Sequence, residues 1–508
     1  MAARVGETIY ALASARGRAA VAVTRVSGPR AWEAAAALAR EATGRGTEEA
    51  RAGGGRSGAS GVGGGGLGDA REGARAGARA RMRLVEFAAP GARADEPPLD
   101  VGFVVMWRAP RSFTGEDMVE FHGHGSLAAT RALLDALGTL DGFRLAEPGE
   151  FARRAFRNGK MDLTQAEGLA DLLDAETEAQ RRQAMMLSRN GAQRAMYETW
   201  RRELMTCAAH CEAALDFGEE EDIASDVVEN DVRGRVEGLR KTLQKYLDAP
   251  ARGEMIRRGV RVAIVGAPNV GKSSMLNALA GRDAAIVSPH AGTTRDVLEV
   301  SLELGGYKVI LSDTAGIRET DDDVEKMGIE RALRRAEDAD IVVALSDGSS
   351  DAASVHLTKL NLSGKDVITV WNKADVMSEA RIRELTEITN ESSADGHEAA
   401  VVSCLSGQGL DEFVAALTRI VARKCTGGES SSADAEVEND ALAITRSRHR
   451  VNLARCVDAL ERALAPSAAL ELRAEELRSA ARSLGRVTGT YDVEDVLDIV
   501  FRDFCIGK

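Results

Sequence analysis

The chain has 508 residues, enough for two to four domains that each bury a core of their own. Its formal net charge of −13 excludes a protein coated in positive charge, so a nucleic-acid partner would need a local basic patch or a second protein. No run of about 18 apolar residues is present, which excludes a membrane-spanning helix. The N-terminus enters a strand pattern without a signal or transit segment. This favours a cytoplasmic protein, or a mitochondrial or plastid protein whose transit peptide is absent from the sequence.

The first region is typical of an α/β unit. Strands are predicted over residues 8–13, 19–26, 82–87 and 101–107, and helices over 29–42 and 126–137. A polar stretch, 112–125, precedes the second helix. For its His122 and His124, a role in a loop is favoured over metal ligation. Residues 44–80 contain Gly, Ala, Arg and Ser with almost nothing apolar. They cannot bury enough surface to offset their ordering entropy, which predicts a disordered insertion.

Helical periodicity then continues almost unbroken to about residue 250. One apolar face is formed by Val228, Val232, Val236, Leu239, Leu243 and Leu247. Cys207, His210 and Cys211 could share a helix face and suggest a metal. No second ligand pair lies nearby, so a packed helix is the favoured interpretation. The six cysteines are too scattered for a disulfide framework.

A P-loop follows the first helical region. The apolar run 260–265 predicts a buried strand, which leads into Gly266-x4-Gly271-Lys272-Ser273 and then a helical pattern. Glycines let backbone N–H groups surround phosphate oxygens, and the helix N-terminus adds partial positive charge. Lys272 is expected to reach the β- and γ-phosphates and Ser273 to hold Mg²⁺. The predicted contacts of this segment are Asn269, Val270, Gly271, Lys272, Ser273 and Ser274.

Two later strand ends identify the nucleotide. Residues 307–312 lead into Asp313-Thr314-Ala315-Gly316, where a carboxylate can hold Mg²⁺ through water and Gly316 can donate its N–H to the γ-phosphate. Residues 366–371 lead into Asn372-Lys373-Ala374-Asp375. Asp375 offers two acceptors that fit the ring N–H and amine of guanine and reject adenine. A further strand end, Ser403-Cys404-Leu405, offers a backbone N–H to the guanine oxygen. The sequence therefore predicts a GTPase.

The simplest architecture inserts the GTPase domain into a helical domain. A Gly/Ser/acid linker covers 427–440, and beyond it Leu453, Val457, Leu460 and Leu464 again share one helical face. We predict an N-terminal domain over 1–148 and a GTPase domain over 256–424. The helical domain is predicted in two halves, 149–255 and 425–508. The fold class is thus multidomain, α/β and all-α, with a doubly wound, Ras-like P-loop domain.

Several further motifs accompany the GTPase motifs: Arg25-Val26-Ser27-Gly28, Phe113-Thr114-Gly115-Glu116-Asp117, Pro148-Gly149-Glu150-Phe151, Asn158-Gly159-Lys160, Gly292-Thr293-Thr294-Arg295-Asp296 and Phe504-Cys505-Ile506-Gly507-Lys508. With these motifs, nearly the whole chain resembles the MnmE/TrmE family of tRNA-modification GTPases. The Gly/Arg-rich insertion departs from the family pattern, and Cys404 stands where the family often has alanine.

The resemblance implies an N-terminal domain, residues 1–148, that binds a tetrahydrofolate derivative (5,10-methylene- or 5-formyl-) and forms a homodimer. The positions that match the folate site are Arg25, Glu120, Lys160 and Lys508. It also implies a flavoprotein partner of the MnmG/GidA type, which carries FAD and forms a heterotetramer with this chain. Together they would add an aminomethyl or carboxymethylaminomethyl group to carbon 5 of the wobble uridine of tRNA. Cys505 would act there as a nucleophile or as an acid/base group.

For GTP hydrolysis, the resemblance assigns Glu325 to orienting the attacking water, because Ile317 stands where many GTPases have glutamine. It implies K⁺ in place of an arginine finger and adds Thr294 to the Mg²⁺ shell. The K⁺ ligands would be Asn269, Ser288, His290 and Thr293.

Two other interpretations stay open. One is a GTPase switch in ribosome assembly, which performs no chemistry on RNA and would need an RNA-binding appendage after the GTPase domain. The other is a folate-dependent one-carbon transferase whose GTPase domain is only regulatory. Nucleoside analysis of tRNA from cells lacking the protein separates these interpretations.

Overall fold

The fold is described from a computed structural model. It describes residues 6–41, 81–216, 231–249, 251–282, 299–313, 337–350, 365–394, 398–426, 444–491, 497, 500–501, 504 and 506–507. The predicted insertion at 44–80 lies outside these ranges. The chain divides into two compact units, Met1–Ala166 with Asp492–Lys508, and Glu167–Tyr491.

The first unit contains a seven-stranded sheet in the order β3-β4-β5-β6-β2-β1-β7. Its strands are β1 (Thr8–Leu12), β2 (Ala19–Ser27), β3 (Ala39–Glu41), β4 (Arg81–Phe87), β5 (Asp100–Trp107), β6 (Met118–Gly125) and β7 (Phe143–Leu145). Neighbours are antiparallel except β1 and β7, which are parallel. Val119 and Phe121 of β6 lie on one face of the sheet, and both are fully buried in its core.

Helices cover the buried face of this sheet. They are α1 (Ala31–Leu38) and α2 (Leu127–Gly138), and they share one core with the sheet. The N-terminus of α2 is capped by Ser126, whose hydroxyl oxygen accepts from the Ala129 N–H. A further helix, α3 (Glu150–Arg157), buries Phe151 against Ile9 and Ala11 of β1.

Two expectations for this region were wrong. The helix predicted over 29–42 ends at Leu38, because Ala39–Glu41 pairs with β4 as an edge strand. The polar stretch 112–125 contains β6, which lies between β2 and β5. Its polar residues Glu120 and His122 alternate with the buried Val119 and Phe121, so the polar residues occupy one face of a central strand.

The second unit combines a helical bundle with a sheet. Its helices are α4 (Leu163–Asp174, which starts in the first unit), α5 (Glu178–Asn190), α6 (Ala192–Asp216), α7 (Arg233–Asp248), α8 (Arg252–Arg258), α9 (Lys272–Ala280), α10 (Glu379–Ala394), α11 (Leu410–Thr426), α12 (Ser447–Leu464) and α13 (Leu470–Thr488). A 3-10 turn covers Ala374–Val376.

Helices that precede and helices that follow the six-stranded sheet in the sequence share one core. It is formed by α6, α7, α12 and α13, and it buries Val236, Leu243, Leu453 and Leu460. This confirms the inserted P-loop domain and the two predicted apolar faces, except for Val228, which lies outside the described residues. Cys207 and Cys211 lie in the same core, and the parts of the chain that are described contain no cluster suited to a metal. Burial raises the pKa of the Cys207 thiol to about 11, so the group is a neutral packing element.

The sheet of the second unit has six strands in the order β13-β12-β11-β8-β10-β9. They are β8 (Val260–Val265), β9 (Glu299–Leu304), β10 (Tyr307–Asp313), β11 (Ile341–Asp347), β12 (Asp366–Asn372) and β13 (Glu398–Val401). Only β9 runs antiparallel to its neighbour. The parallel strands therefore bring their carboxyl ends to one edge of the sheet, where ligands bind in open α/β folds. No helix in the described part of the chain is long and apolar enough to cross a membrane.

Candidate functional site

The P-loop connects β8 to α9 at the carboxyl edge of the sheet. Gly271 has a φ of 99°, and a Cβ there would lie 2.3 Å from Asn372 Nδ2. A Cβ at Gly266 would lie 2.2 Å from the carbonyl oxygen of Leu345. Both positions therefore require glycine, because the loop passes directly against the ends of β11 and β12.

The lysine of the loop is held across it. Lys272 Nζ donates to the carbonyl oxygens of Gly266 at 3.0 Å and Ala267 at 2.9 Å. Ser273 and Ser274 are exposed in the first turn of α9. The N–H groups of this turn, the ammonium group and the helix dipole form an arrangement suited to an anion.

Asn372 joins the P-loop to the segment after β13. Its side chain is buried, Nδ2 donates to the Val270 carbonyl oxygen at 2.8 Å, and Oδ1 accepts from the Cys404 N–H at 3.1 Å. Each buried polar atom of the amide therefore has a partner on a different segment. This geometry fixes the distance between the phosphate-binding loop and the segment predicted to bind guanine.

Asp375 lies in the 3-10 turn that follows Lys373. Its Oδ1 accepts from Ser403 Oγ at 2.5 Å, while the residue as a whole is exposed. Burial and the charge of Asp375 raise the pKa of the Cys404 thiol to about 11, so Cys404 stays neutral beside this carboxylate. Leu405, which follows Cys404, is 87% exposed, and its predicted contact with the nucleotide stays a prediction.

Two predicted contact residues have unusual backbone conformations. Asn269 has a φ of 61° and Lys373 a φ of 71°, and within the described ranges they are the non-glycine residues with positive φ. Asparagine adopts this region readily, whereas a lysine there costs roughly 1–2 kcal/mol. Such strain is typical of functional sites, where the surrounding contacts impose it.

Several predicted residues lie outside the described part of the chain. They are Ser288, His290, Thr293, Thr294, Thr314, Ala315, Gly316, Glu325, Cys505 and Lys508. Asp313 ends β10, in register with Ile264 of β8, and only its backbone is described. The roles of these residues stay predictions.

A second polar cluster lies in the first unit and contains Arg25. The guanidinium Nε donates to Glu120 Oε1 at 2.9 Å, and Nη1 donates to the Gly507 carbonyl oxygen at 3.4 Å. The same group lies 5.1 Å from the ring centre of Phe113 and 5.7 Å from that of Phe151. Two predicted folate residues, Arg25 and Glu120, are thus in contact, and the chain segment before Lys508 lies beside them.

The third described folate candidate, Lys160, is exposed and donates to the Pro110 carbonyl oxygen at 2.9 Å. It follows Asn158, whose Nδ2 donates to the Thr114 carbonyl oxygen at 2.7 Å. Because Thr114 directly follows Phe113, one short segment contacts both Arg25 and the helix end that carries Lys160.

Sequence reasoning missed several members of these sites. His122 Nε2 contacts Glu120 Oε2 at 3.0 Å, and Arg154 bonds both Glu116 and Glu150. In the nucleotide site it missed Asp347, which pairs with Lys373. The one available signal for Asp347 was an acid at the end of the apolar run 341–345, a position equivalent to that of Asp313.

Comparisons with known proteins show the family of this chain. Residues 8–160 match the family described as "GTP-binding protein TrmE N-terminus", and residues 163–505 match the "MnmE helical domain". Proteins named "tRNA modification GTPase MnmE" are similar along the whole chain. The one from Parvibaculum lavamentivorans is 46% identical over 99% of this chain and 100% of its own length. Those from Paramagnetospirillum magneticum and Rhodospirillum rubrum are 43% and 44% identical over 99% of this chain and 100% and 99% of theirs. The chain therefore belongs to the MnmE/TrmE family.

Proposed function

We propose that this chain binds and hydrolyses GTP, and that hydrolysis serves the modification of tRNA. One observation carries the choice of GTP: Asn372 joins the P-loop at Val270 to Cys404, next to the Asp375–Ser403 pair. A phosphate-binding loop and a carboxylate suited to the two guanine donors thus belong to one connected site. The names of the relatives support the link to tRNA.

Guanine selectivity tests this proposal. GTP and GDP should bind and ATP should not, because Asp375 is an acceptor pair that adenine leaves unmatched. In Asp375→Asn the affinity for GDP should fall by about 10- to 100-fold, the value of a hydrogen bond to a charged group. Competition binding with unlabelled nucleotides measures both. The control is Asp411→Asn, an exposed carboxylate paired with Arg282, which should leave binding unchanged. Equal displacement by ATP and GTP in the unmutated chain would refute the proposal.

Two metal ions belong to the proposed hydrolysis. Ser273 is an exposed hydroxyl at the start of α9, which suits a hard cation such as Mg²⁺, and Thr294 and Asp313 would complete that shell. Asn269 offers a carbonyl oxygen at the P-loop for K⁺, together with Ser288, His290 and Thr293. Glu325 would orient the attacking water. Either ion would supply positive charge against the charge that develops on the transferred phosphoryl group.

We expect GTP hydrolysis to be about tenfold faster in K⁺ than in Na⁺ at equal ionic strength, because no arginine is identifiable as a finger in the sequence motifs. Asn269→Gly should remove the difference, since glycine keeps the positive φ while the side-chain amide, with its carbonyl oxygen, is lost. Steady-state phosphate release in the two salts measures this. Equal rates for the unmutated chain would eliminate the potassium mechanism.

The chemistry on tRNA is proposed to take place with a flavoprotein partner that carries FAD, at carbon 5 of the wobble uridine. The Arg25 cluster supports a tetrahydrofolate in the first unit: a guanidinium and Lys160 suit carboxylates of the glutamate tail, and Glu120 suits amine donors of the pterin. Homodimerisation and the role of Lys508 belong to the same proposal.

Cys505 is proposed to act in the modification and not in GTP hydrolysis, because it lies outside every GTPase motif. Cys505→Ser should keep the rate of GTP hydrolysis and lower the level of modified wobble uridine at least about tenfold. Complementation of a modification-deficient strain, with tRNA nucleosides separated by mass, gives the result. Normal modification by the serine variant would remove Cys505 from the mechanism. If the unmutated chain also left the wobble uridine unmodified, a role on ribosomal RNA would be favoured.

A further inference from the structure

An ion pair lies at the edge of the nucleotide site, between the ends of two neighbouring strands. Asp347 ends β11 and is in register with Asn372, which ends β12. The hydrogen bonding between the two strands extends one residue further, because the Gly348 N–H donates to the Asn372 carbonyl oxygen at 3.0 Å. Lys373 follows directly, with its positive φ. The backbone of both members of the pair is therefore fixed by the sheet.

The carboxylate of Asp347 is fully engaged. Oδ1 accepts from the Ser349 N–H at 3.0 Å and from Ser349 Oγ at 2.6 Å, while Oδ2 accepts from Lys373 Nζ at 2.6 Å. Partial burial alone would raise the pKa of Asp347, but the hydrogen bonds from Lys373 and Ser349 outweigh it and lower the pKa. The group is an ionised acceptor whose orientation is set by Ser349 and which in turn orients the ammonium group.

The pair contributes little to the stability of the fold. The side chains of Asp347 and Lys373 are 25% and 36% exposed, and exposed ion pairs are weak because water and salt screen them. A strained lysine backbone kept beside such a weak pair therefore points to a role in the site.

Its position suggests which role. Lys373 lies between Asn372, which contacts the P-loop, and Asp375, which carries the predicted guanine acceptors. With its backbone fixed at one end and its ammonium at the other, its methylene stem has little freedom and presents an apolar surface. An ammonium released from Asp347 would be two residues from Asp375 and would compete with guanine for that carboxylate.

We infer that Asp347 is a positioning residue for guanine recognition. It holds the Lys373 ammonium away from Asp375 and holds the lysine stem against the face of the bound base. This inference rests on the proposed binding of GTP, and it adds a specificity-determining residue that lies outside the P-loop and outside Asn372-Lys373-Ala374-Asp375.

The test is the affinity and dissociation rate of ribose-labelled fluorescent GDP. Asp347→Asn should raise the dissociation constant about tenfold, mainly through faster dissociation, the value of one charge-assisted hydrogen bond that orders the site. The matched control is Asp366→Asn. Asp366 begins β12, the strand that Asn372 ends, and so lies at the edge of the sheet opposite to Asp347. It accepts from Lys424 at 2.6 Å and Arg423 at 2.8 Å. It should leave GDP binding unchanged.

A double-mutant cycle separates positioning from a general loss of structure. Lys373→Met keeps an apolar stem and removes the ammonium, so it should weaken GDP binding itself, and adding Asp347→Asn should then change affinity less than about twofold. Additive effects, or unchanged affinity in Asp347→Asn, would overturn the inference. If Asp347→Asn does not fold, unchanged GDP affinity in Lys373→Met overturns it alone. Failure of the unmutated chain to bind GDP would instead refute the proposed function.

Discussion

Gly271→Ala should lower the affinity for GTP and GDP roughly a thousandfold, about 4 kcal/mol. Two costs add. A φ of 99° is strained for alanine, by about 1–2 kcal/mol, and its Cβ would lie 2.3 Å from Asn372 Nδ2. Asn372 must then move away from the Val270 carbonyl oxygen, which leaves buried polar groups unpaired at about 1–3 kcal/mol. Isothermal titration with GDP measures the result.

The control lies at the other end of the same helix. Gly281, the C-cap of α9, has a φ of −78°, and its nearest neighbour for a Cβ is the Asn277 carbonyl oxygen at 3.5 Å, an ordinary contact. Gly281→Ala should therefore bind GDP as the unmutated chain does. Tight binding by Gly271→Ala would show that the P-loop and Asn372 can separate without loss of the site, contrary to the geometry.

The nucleotide site was largely predictable because its residues are local in sequence. A glycine-rich turn between a strand and a helix, and an acid three residues after a strand end, have meanings that do not depend on distant contacts. The wrong expectations depended on long-range pairing. Ala39–Glu41 has no local stop signal, and only pairing with β4 makes it a strand. The polar face of β6 reads as a loop until β2 and β5 flank it.

Partners of charged residues were the least predictable part. Glu116 and Glu150 stand in motifs that the sequence made visible, but their shared partner Arg154 is one of many arginines. Asp347 is a single acid after an apolar run, and its pairing with Lys373 depends on the strand order β12-β11-β8. A charged residue whose role depends on a partner distant in the sequence has no characteristic local spacing, so its role cannot be predicted from the sequence pattern.

Replacement of a buried carboxylate in the helical core, Glu167→Gln, should lower the free energy of unfolding of that core by about 3 kcal/mol. Glu167 is 2% exposed and lies in α4, and both its oxygens accept from Arg448 of α12. His449 Nε2 lies 3.0 Å from Oε2. Glutamine cannot balance the guanidinium groups of Arg446 and Arg448. The expected loss is at the lower end for buried pairs, because Arg448 keeps 20% of its side chain exposed.

The same cluster predicts a pH dependence. Burial and then the charge of Arg448 lower the pKa of His449 to about 4. Burial would raise the pKa of Glu167, but Arg448 and His449 outweigh it and lower the pKa, so the folded pair is a carboxylate and a neutral imidazole. An unfolded histidine binds its proton near pH 6.5. Stability is therefore present above about pH 6.5 and is lost as pH falls towards 4, by at most about 1.4 kcal/mol per pH unit.

Hydrogen exchange of α12 in the native protein measures both effects, because a chain of several domains does not unfold in one two-state step. The matched control is Glu178→Gln: Glu178 of α5 also pairs with two arginines, Arg181 and Arg182, but is exposed to solvent, and it should leave the exchange of α12 unchanged. His449→Gln should flatten the decline between pH 6.5 and about 5, since the unfolded carboxyl group of Glu167 takes up its proton only closer to pH 4. Equal protection of α12 in Glu167→Gln and Glu178→Gln would mean that the buried charges rearrange at little cost. The cluster would then not be what joins α4 to the start of α12, where the chain returns from the nucleotide-binding sheet to the helical bundle.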